Sequence, residues 1–342
     1  MRTIRVALLL LLAAVIAAAQ TTSRWQLVWS DEFNGAAGTA PDPAKWNFDV
    51  GSGWGQYEIE SNNSSANNVF LDGNGNLVLR VTKDAQGNYT SGRLQTGAPG
   101  ASTHTADLSW QYGRIEARIK LPFGKGVWPA FWMLGENYAT AGWPGCGEAD
   151  IMENFGAYNN NASKNNGTIH GPGPGNSPST PTDYPPYGGV GTSATLPFGE
   201  TVYDDFHIYA IEWAQDSIEF FLDGVSYEKL TPASLPAGAK WVFNAPFFLI
   251  LNVAIGSPGA FLGTPDASVT FPQTMLVDYV RVYKSTTVAA TTPVIAPAGI
   301  VNAASYLGAI SPGGLATVFG NDLADAEHII PPPAATNTDP AS

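Results

Sequence analysis

The stretch Y-G-R-I-E-A-R-I-K, residues 112–120, alternates apolar and charged side chains along its length. The apolar positions are Ile115, Ala117 and Ile119, and the charged ones are Arg114, Glu116, Arg118 and Lys120. A period of two is the repeat of a β-strand, whose successive side chains point to opposite faces. The stretch therefore predicts an antiparallel strand with one face against a core and the other toward water.

The same alternation recurs from Trp25 to Tyr283, and no stretch of twelve or more residues keeps a helical stripe. Further segments of this kind are residues 76–82, 206–213, 217–222, 247–255 and 276–283. Asp-Gly pairs at residues 72–73 and 223–224 mark turns between strands. So many strands predict an all-β domain, built as a two-sheet sandwich or as a barrel.

The N-terminus has the organisation of a signal peptide. Arg2 and Arg5 precede an apolar run of fourteen residues, 6–19, which ends in small residues. A membrane span needs about 20 apolar residues, and signal peptidase requires small residues at its cleavage site. We expect residues 1–20 to be removed and the protein to be secreted, into the extracellular space or the periplasm, with no membrane association afterwards.

The composition changes after Tyr283. Ser, Thr, Ala and Pro dominate residues 285–297, which predicts an extended linker. Residues 298–342 regain apolar segments, but about 45 residues are too few for a self-sufficient core without disulfides. We interpret them as the start of an incomplete immunoglobulin-like β-module or as a disordered tail.

Charge and cysteine content exclude several classes of function. Sixteen basic against 29 acidic side chains give a formal charge of -13, and such a surface repels nucleic acids. The single cysteine, Cys146, excludes an intramolecular disulfide and a cysteine metal cluster. Its position two residues before Glu148 leaves a catalytic thiol open, although a small buried core residue is the expected role. The four histidines are too scattered for a zinc site.

Residues 146–156 read C-G-E-A-D-I-M-E-N-F-G and hold three carboxylates within six residues of a charge-poor, apolar stretch. On a regular strand, Glu148 and Asp150 share a face and Glu153 falls on the opposite one. One extra residue, taken up as a β-bulge around Ile151 and Met152, would return Glu153 to the face of the other two. Two such carboxyl groups could then converge on one glycosidic bond.

Other interpretations of the three carboxylates stay open at this point. They could form a solvated acidic strand edge or a calcium site, although the apolar neighbours Ile151, Met152 and Phe155 indicate burial and favour catalysis. A retaining glycosidase needs about 5 to 5.5 Å between its carboxyl groups and an inverting one about 6.5 to 9.5 Å. Spacing along the sequence does not distinguish the two.

At these residues the sequence resembles glycoside hydrolase family 16, in its laminarinase-like branch. E-A-D-I-M-E, residues 148–153, is similar to that family's bulged E-x-D-x-x-E signature. Further phrases resemble the family in the same order: L-V-W-S-D-E-F-N-G at 27–35, G-W-G at 53–55, Y-T-S-G-R at 89–93, Y-G-R-I-E-A-R at 112–118, W-P-A-F-W-M-L at 128–134, G-T-I-H-G-P-G at 167–173 and V-D-Y-V-R-V-Y at 277–283. The resemblance assigns residues 22–284 to a catalytic domain.

The resemblance implies a concanavalin A-like β-jelly-roll sandwich of two antiparallel sheets, with a substrate cleft across the concave sheet. It also implies a retaining double displacement, with Glu148 as nucleophile and Glu153 as general acid/base. Asp150 would hold the nucleophile by a shared hydrogen bond. Because clustered carboxyls cannot all ionise freely, a proton retained on Glu153 at neutral pH would serve leaving-group protonation. No cofactor is implied for catalysis.

Within the same resemblance, we expect aromatic rings to hold the substrate, because the apolar face of a sugar packs on an indole ring. The candidate binding residues are Trp54, Gln56, Arg93, Trp110, Trp128, Trp132 and His170. A structural ion pair or a core imidazole is the alternative for Arg93 and His170. The chain departs from the family at Gln56, where Asn is usual, and at residues 60–63, where an aromatic-threonine phrase is usual. Three other tryptophans are assigned to the core: Trp29, Trp46 and Trp213.

The resemblance further implies a structural calcium with Glu32, Gly73 and Asp278 as ligands, and we expect a monomer. The expected substrate is a β-glucan such as laminarin, cut at internal β-1,3 bonds. Mixed-linkage β-1,3-1,4-glucan, a galactan, or a non-catalytic glucan-binding lectin are the alternatives. Without Arg2 and Arg5 the chain has 14 basic against 29 acidic groups, a charge of -15, which disfavours sulfated galactans. A lectin has no need of two clustered glutamates.

Overall fold

In a computed structural model, the body of the chain is a sandwich of two β-sheets. The structure describes residues 24–55, 57–97, 106–177, 179–185 and 188–286, together with the strands Val294–Asn302 and Ala316–Asn321. Residues Trp25–Ser285 form one compact unit. The expected signal peptide, residues 1–20, lies outside the described residues, as does most of the expected tail, so the domain boundaries stay predictions.

The strands of this unit are short and follow one another closely along the chain. Numbered in order, those in the described residues are β1 (Trp25–Asp31), β2 (Asn47–Phe48), β3 (Ser61–Asn62), β4 (Val69–Leu71), β5 (Leu77–Lys83), β6 (Tyr89–Ser91), β7 (Arg93–Gln95), β8 (Gly113–Lys120), β9 (Val127–Gly135), β10 (Glu148–Glu153), β11 (Lys164–His170), β12 (Val190–Thr195), β13 (His207–Ala214), β14 (Ser217–Leu222), β15 (Val225–Leu230), β16 (Phe247–Ile255) and β17 (Gln273–Ser285).

These strands form a ten-stranded and a seven-stranded sheet within the described residues. The larger runs β15-β14-β13-β8-β17-β5-β6-β3, with β1 beside β17 and β4 beside β5, and the smaller runs β12-β11-β10-β9-β16-β7-β2. Their strand pairs are antiparallel except for β3 and β6, which are parallel. Helical structure in the described chain is limited to α1 (Tyr138–Ala141) and the 3-10 turns Tyr158–Ser163, Pro197–Gly199 and Pro232–Ser234. The predicted all-β class with two antiparallel sheets is confirmed.

The alternating stretch at residues 112–120 forms β8, between β13 and β17. Its apolar side chains, Ile115, Ala117 and Ile119, are fully buried, as predicted. Glu116 departs from the pattern because it is buried on the other face. There it accepts hydrogen bonds from Arg114 Nε (2.9 Å) and the hydroxyl of Tyr283 (3.1 Å). The buried carboxylate of Glu116 is tolerated because these two partners bond to it.

The hydrophobic core lies between the two sheets. All nine residues of β16 are buried, so the alternation predicted for residues 247–255 is wrong. Both faces of this strand are covered, because Leu249 packs in the core whereas Phe248 and Ile250 pack in a second apolar cluster on the opposite face. Burying an aliphatic or aromatic side chain of this size contributes about 1.5–3 kcal/mol. Trp46 and Trp213 are core residues as predicted, at 1% and 2% exposure, whereas Trp29 is half-buried against the core. The sandwich therefore supplies a rigid sheet for side chains on its outer face.

Two further strands lie after this unit, β18 (Val294–Asn302) and β19 (Ala316–Asn321), and they pair with each other in antiparallel fashion. The first begins within the segment interpreted as a linker. Among the residues the structure describes, no helix is both long and apolar enough to cross a bilayer.

Candidate active site

Glu148, Asp150 and Glu153 lie on one face of β10, and a bulge puts them there. Their partners on β9 are alternate residues of that strand: Leu134, Trp132 and Ala130. Alternate residues of a strand share a face, so the three carboxylates do too. The register shifts between Asp150 and Met152 against β9 and between Asp150 and Glu153 against β11. The predicted bulge at residues 151–152 is therefore confirmed.

A buried asparagine on β11 occupies the gap that the bulge leaves in the ladder. The side chain of Asn165 donates to the carbonyl oxygen of Ile151 (3.1 Å) and accepts from the backbone N–H of Glu153 (3.3 Å). Asn166 next to it donates to the carbonyl oxygen of Glu153 (2.8 Å). Unpaired backbone groups in a buried place are costly, so these amides fix the bulge and with it the direction of Glu153.

The strand ends where a glycine allows the chain to turn. Gly156 has a φ of 56°, and a Cβ there would collide with the carbonyl oxygen of Gly124. Asn154, fully buried, then ties the returning turn to β11 through bonds to the carbonyl oxygens of Asn161 and Lys164, each 2.8 Å. The residues that follow Glu153 are thus packed tightly beside it.

His170 lies beside the first two carboxylates because it pairs directly with Glu148 across β10 and β11. Its Nε2 is 3.3 Å from Oδ2 of Asp150 and 3.8 Å from Oε1 of Glu148. Its Nδ1 is 2.6 Å from Oδ2 of Asp183. The imidazole thus lies close to both carboxylates, and the hydrogen bond expected between Asp150 and Glu148 stays a prediction.

Burial and mutual repulsion within the cluster raise the pKa of both glutamates. Burial, and then the charge of Asp150, raise the pKa of Glu148 to about 8, while His170 and Arg93 oppose the rise. Burial and Asp150 also raise the pKa of Glu153 well above its ordinary value. The cluster therefore keeps a proton at neutral pH.

The imidazole of His170 contributes a positive charge to this balance. Burial alone would lower its pKa, but the close contacts with Asp150 and Asp183 outweigh that effect and hold the pKa well above the usual value. An imidazolium next to two carboxylates favours their ionised forms. His170 is therefore part of the charge balance of the site, a role closer to the alternative of an ion pair than to the predicted role in substrate binding.

Trp128 contacts the acid/base candidate directly. Its indole N–H donates a 2.7 Å hydrogen bond to Oε1 of Glu153. The ring packs edge-to-face on Phe155, at 6.0 Å between centroids, and on Phe261, at 5.5 Å. Trp128 thus orients Glu153 as well as lining the site.

Arg93 lies between two of the predicted tryptophans on the same face of the sheet. Its guanidinium carbon is 5.1 Å from the ring centroid of Trp54 and 4.9 Å from that of Trp132. Its Nε donates to Oδ2 of Asp49 (2.9 Å), and Trp132 donates to Oδ1 of Asn252 (2.7 Å). The arginine is thus both ion-paired and stacked, which builds a rigid aromatic surface beside the carboxylates.

The remaining members of the predicted set are Trp110 and Gln56. Trp110 is half-buried, with its ring 5.0 Å from that of Trp29 and its backbone paired with Phe247. Its packing is that of a partly covered core residue. Gln56 lies outside the described residues.

The two carboxylates predicted to bind calcium are each paired with an arginine. Glu32 accepts from Arg281 through both oxygens, at 3.0 and 2.8 Å, and Asp278 accepts from Arg118 at 2.7 Å. Gly73 offers only backbone atoms. Among the described residues, the group of three side chains close enough to hold a metal is Glu148, Asp150 and His170. With both carboxylates paired to arginines, the side chains of the predicted calcium set do not fit an ion as they stand.

Several residues of the site were missed from the sequence. Those that position others are Asp49, Asn165, Asp183 and Asn252. Trp143 was also missed, as an exposed aromatic ring beside the site. It is 45% exposed, and its ring centroid is 6.1 Å from that of His170. Its place five residues before Glu148, next to Pro144, was the only signal available.

Cys146 is buried as expected, and burial raises the pKa of its thiol to about 12, which excludes it as a nucleophile.

A match to glycosyl hydrolases family 16 extends over residues 55–267 of the chain. The chain belongs to this family. As a family 16 hydrolase it is a glycoside hydrolase, and enzymes of this family need no catalytic cofactor. The resemblance inferred from the bulged motif is confirmed.

Relatives and solved structures support the same assignment. The chain is 38% identical over 274 residues to the beta-glucanase of Rhodothermus marinus, which covers 76% of this chain and 85% of that protein. It is 35% identical over 283 residues to glucan endo-1,3-beta-glucosidase A1 of Niallia circulans, covering 75% of this chain and 38% of that longer protein. The laminarinase catalytic domain of Thermotoga maritima superposes with a TM-score of 0.65 at 42% identity, over 77% of this chain and 99% of that one. The jelly-roll fold is thereby confirmed.

Proposed function

We propose that this family 16 hydrolase is a secreted, monomeric, retaining endo-1,3-β-glucanase that cuts internal β-1,3 bonds of glucans such as laminarin. One observation carries the proposal: the bulge in β10 puts Glu148, Asp150 and Glu153 on one face of the sheet, where burial retains a proton in the cluster. The names of the relatives, beta-glucanase, glucan endo-1,3-beta-glucosidase and laminarinase, support the substrate.

The reaction divides into two displacements. In the first, the carboxylate of Glu148 attacks the anomeric carbon, the glycosidic C–O bond breaks, and the carboxyl group of Glu153 gives its proton to the departing oxygen. In the second, Glu153 takes a proton from water while the water oxygen bonds to the anomeric carbon and Glu148 is released. Net retention of the anomeric configuration follows from two inversions.

Asp150 and His170 serve the nucleophile in this scheme. The imidazolium within 3.8 Å of Glu148 and 3.3 Å of Asp150 offsets the repulsion between the two carboxylates. Glu148 can then ionise beside a second buried acid, which it would otherwise resist. Arg93 adds a further positive charge that lowers the pKa of Glu148.

The aromatic surface beside the carboxylates suits an uncharged glucan. Trp54 and Trp132 flank Arg93, whose charge is already balanced by Asp49, so the surface presents rings rather than a free cation. The formal charge of -13 also disfavours attraction of a sulfated polysaccharide. These features favour laminarin over sulfated galactans, with mixed-linkage glucan as the nearest alternative.

The test is product analysis on laminarin, curdlan, lichenan, agarose and carrageenan, each incubated with the wild-type chain and with Glu148→Gln. A ladder of oligosaccharides from laminarin, absent with Glu148→Gln, is the expected result. Cleavage of lichenan alone would move the linkage assignment to mixed-linkage glucan. Cleavage of the galactans alone would overturn the substrate class, and glucan binding without cleavage of any polymer would make the protein a lectin.

A further inference from the structure

Four aromatic side chains form a continuous cluster at the Glu153 end of β10, which we term the aromatic wall: Trp128, Phe155, Tyr158 and Phe261. The centroid distances are 6.0 Å for Trp128 and Phe155, 5.5 Å for Trp128 and Phe261, 4.9 Å for Phe155 and Phe261, and 5.5 Å for Tyr158 and Phe261. All four contacts are edge-to-face, the favoured geometry for packed aromatic rings. The wall is therefore a built surface in which each ring supports another.

Two members of the wall remain open to solvent. Phe261 is 46% exposed and Tyr158 is 38% exposed. Single exposed apolar side chains are ordinary in proteins. These two, however, contact each other, and Phe261 contacts the same indole that bonds to Glu153. Exposed and contiguous aromatic surface beside a catalytic carboxyl is typical of a ligand-binding site.

The register of the sheet shows on which side of the carboxylates the wall lies. Glu148 pairs with Leu134 on β9 and Glu153 pairs with Ala130, so Trp128 lies two residues beyond Glu153, away from Glu148. The stack of Trp54, Arg93 and Trp132 extends instead across β9, β16 and β7. The wall and the stack are thus two separate aromatic surfaces of the site.

We propose that Phe261 and Tyr158 form the binding surface for the sugar on the leaving-group side of the scissile bond. The inference rests on the proposed function, in which Glu153 protonates the oxygen of the departing sugar. A sugar held by that oxygen at Glu153 lies next to the ring surface that Trp128 joins to the same carboxyl. The C–H face of a pyranose packs on such rings, as apolar surfaces do.

The same surface would hold an incoming sugar in the second displacement. There the bond between the anomeric carbon and Glu148 breaks, a new bond forms to an acceptor hydroxyl, and the acceptor's proton passes to Glu153. Water and a sugar hydroxyl compete for this step, and a bound sugar has the advantage of a fixed position. The wall therefore raises the share of transglycosylation relative to hydrolysis.

The test compares Phe261→Ala with the wild-type chain on two substrates. Laminarihexaose has sugars on both sides of the bond that is cut, whereas 4-nitrophenyl β-laminaribioside has only the nitrophenyl group on the leaving side. We expect kcat/KM on the hexaose to fall about tenfold, the loss of one good ring contact, with less than about a twofold change on the aryl glycoside. The fraction of products longer than the hexaose should fall in parallel, measured by mass spectrometry.

Matched variants separate a binding role from damage to the fold. Phe198→Ala makes the same chemical change at a ring that is 99% exposed on the Pro197–Gly199 turn, and should alter neither substrate. Tyr158→Ala should follow Phe261→Ala, and Tyr158→Phe, which keeps the ring, should retain more of the hexaose activity than Tyr158→Ala. An equal loss on both substrates, or no loss on either, would overturn the inference alone. A wild-type chain that cleaves neither substrate would overturn the proposed function together with it.

Discussion

The Nδ1 of His170 lies 2.6 Å from a carboxylate oxygen of Asp183, thirteen residues further along the chain. A second pair of the same kind, His207 and Asp223 at 2.7 Å, lies on the larger sheet. The first pair faces the carboxylates of Glu148 and Asp150 in the candidate site, and the second lies outside that site. The two pairs make a controlled comparison of what a histidine–aspartate contact does inside and outside the site.

Replacing Asp183 by Asn should lower the pKa of His170, because the contact with Asp183 is one of the causes that raise it. Loss of a close opposite charge shifts a pKa by about 1–3 units. Less imidazolium then faces Glu148, so kcat on laminarin should fall about tenfold. NMR titration of the His170 ring and steady-state kinetics measure both effects. Asp223→Asn should lower the pKa of His207 and leave kcat alone; equal activity in both variants would contradict the role given to His170.

The two glutamates are distinguished by the products of azide rescue. Glu148→Ala removes the nucleophile, so hydrolysis should fall by about 10⁴-fold or more, and azide with an activated substrate should give the α-glycosyl azide by a single displacement. Glu153→Ala keeps the nucleophile, so a good leaving group still allows the covalent intermediate and azide should give the β product. Proton NMR identifies the anomers. An α product from Glu153→Ala would exchange the two roles.

Asn165 should matter for catalysis as well as for stability. Asn165→Ala leaves the carbonyl oxygen of Ile151 and the N–H of Glu153 without their side-chain partner, which costs about 1–3 kcal/mol for each buried group. Because Glu153 is then free to turn, kcat should fall more than KM changes. Asn68→Ala is the control, since that 2% exposed side chain also bonds two backbone carbonyls, of Arg80 and Thr90, on the other sheet. Equal kcat for the two variants at matched stability would show that Asn165 is purely structural.

Arg93→Lys should weaken substrate binding although it keeps the charge. Lysine has neither the planar group that lies between Trp54 and Trp132 nor the Nε–H that bonds Asp49. We expect KM for laminarin to rise about tenfold with a smaller change in kcat, as for the loss of uniform binding. Arg80→Lys, at an arginine 4.5 Å from the centroid of Phe70, is the matched change outside the site. An unchanged KM in Arg93→Lys would remove the stack from the substrate-binding surface.

Glu60 should make the protein less stable as pH rises. It is 2% exposed and accepts from the N–H of Ile255 at 2.7 Å, and burial, then the charge of Glu58, raise its pKa to about 8. Between about pH 4.5 and 8 the unfolded chain has released this proton while the folded chain keeps it, so the free energy of unfolding falls with pH, by at most about 5 kcal/mol.

Glu60→Gln removes this titration and retains an acceptor for the N–H of Ile255. The variant should therefore lose less Tm than the wild-type chain between pH 5 and pH 8.5, as measured by calorimetry. Glu136→Gln, at an exposed glutamate after β9, should follow the wild-type curve. Parallel curves for all three proteins would mean that Glu60 is ionised in the folded state.

Features that depend on the local periodicity of side chains could be predicted from the sequence. A period of two located most of the long strands, and three carboxylates that a regular strand cannot place on one face required the bulge that the structure shows. The exceptions have a common cause. Glu116 is buried because Tyr283, 167 residues away, reaches across to it, and no local pattern signals such a partner.

The same limit applies to the candidate site. Asp49 and Arg93 are 44 residues apart, and Asp183 lies on a loop whose position depends on the packed sheets. Tryptophans show the difficulty most clearly, since Trp110 and Trp143 carry the same ring. Trp110 is partly covered because Trp29 packs against it, whereas Trp143, in the turn at Pro144, is exposed. Which ring meets the solvent is a property of the assembled fold.

The buried thiol of Cys146 gives this enzyme an internal reporter. It is the one cysteine of the chain, it is 1% exposed, and it packs with Leu134, Phe248 and Ile250 directly before β10, the strand of the candidate carboxylates. A thiol reagent can reach Cys146 only when this packing opens, so the labelling rate of the thiol reports how often the packing opens. Opening of the chain beside β10 can therefore be measured without any added label. A bound oligosaccharide that stabilises this strand should lower the rate at which the Cys146 thiol reacts.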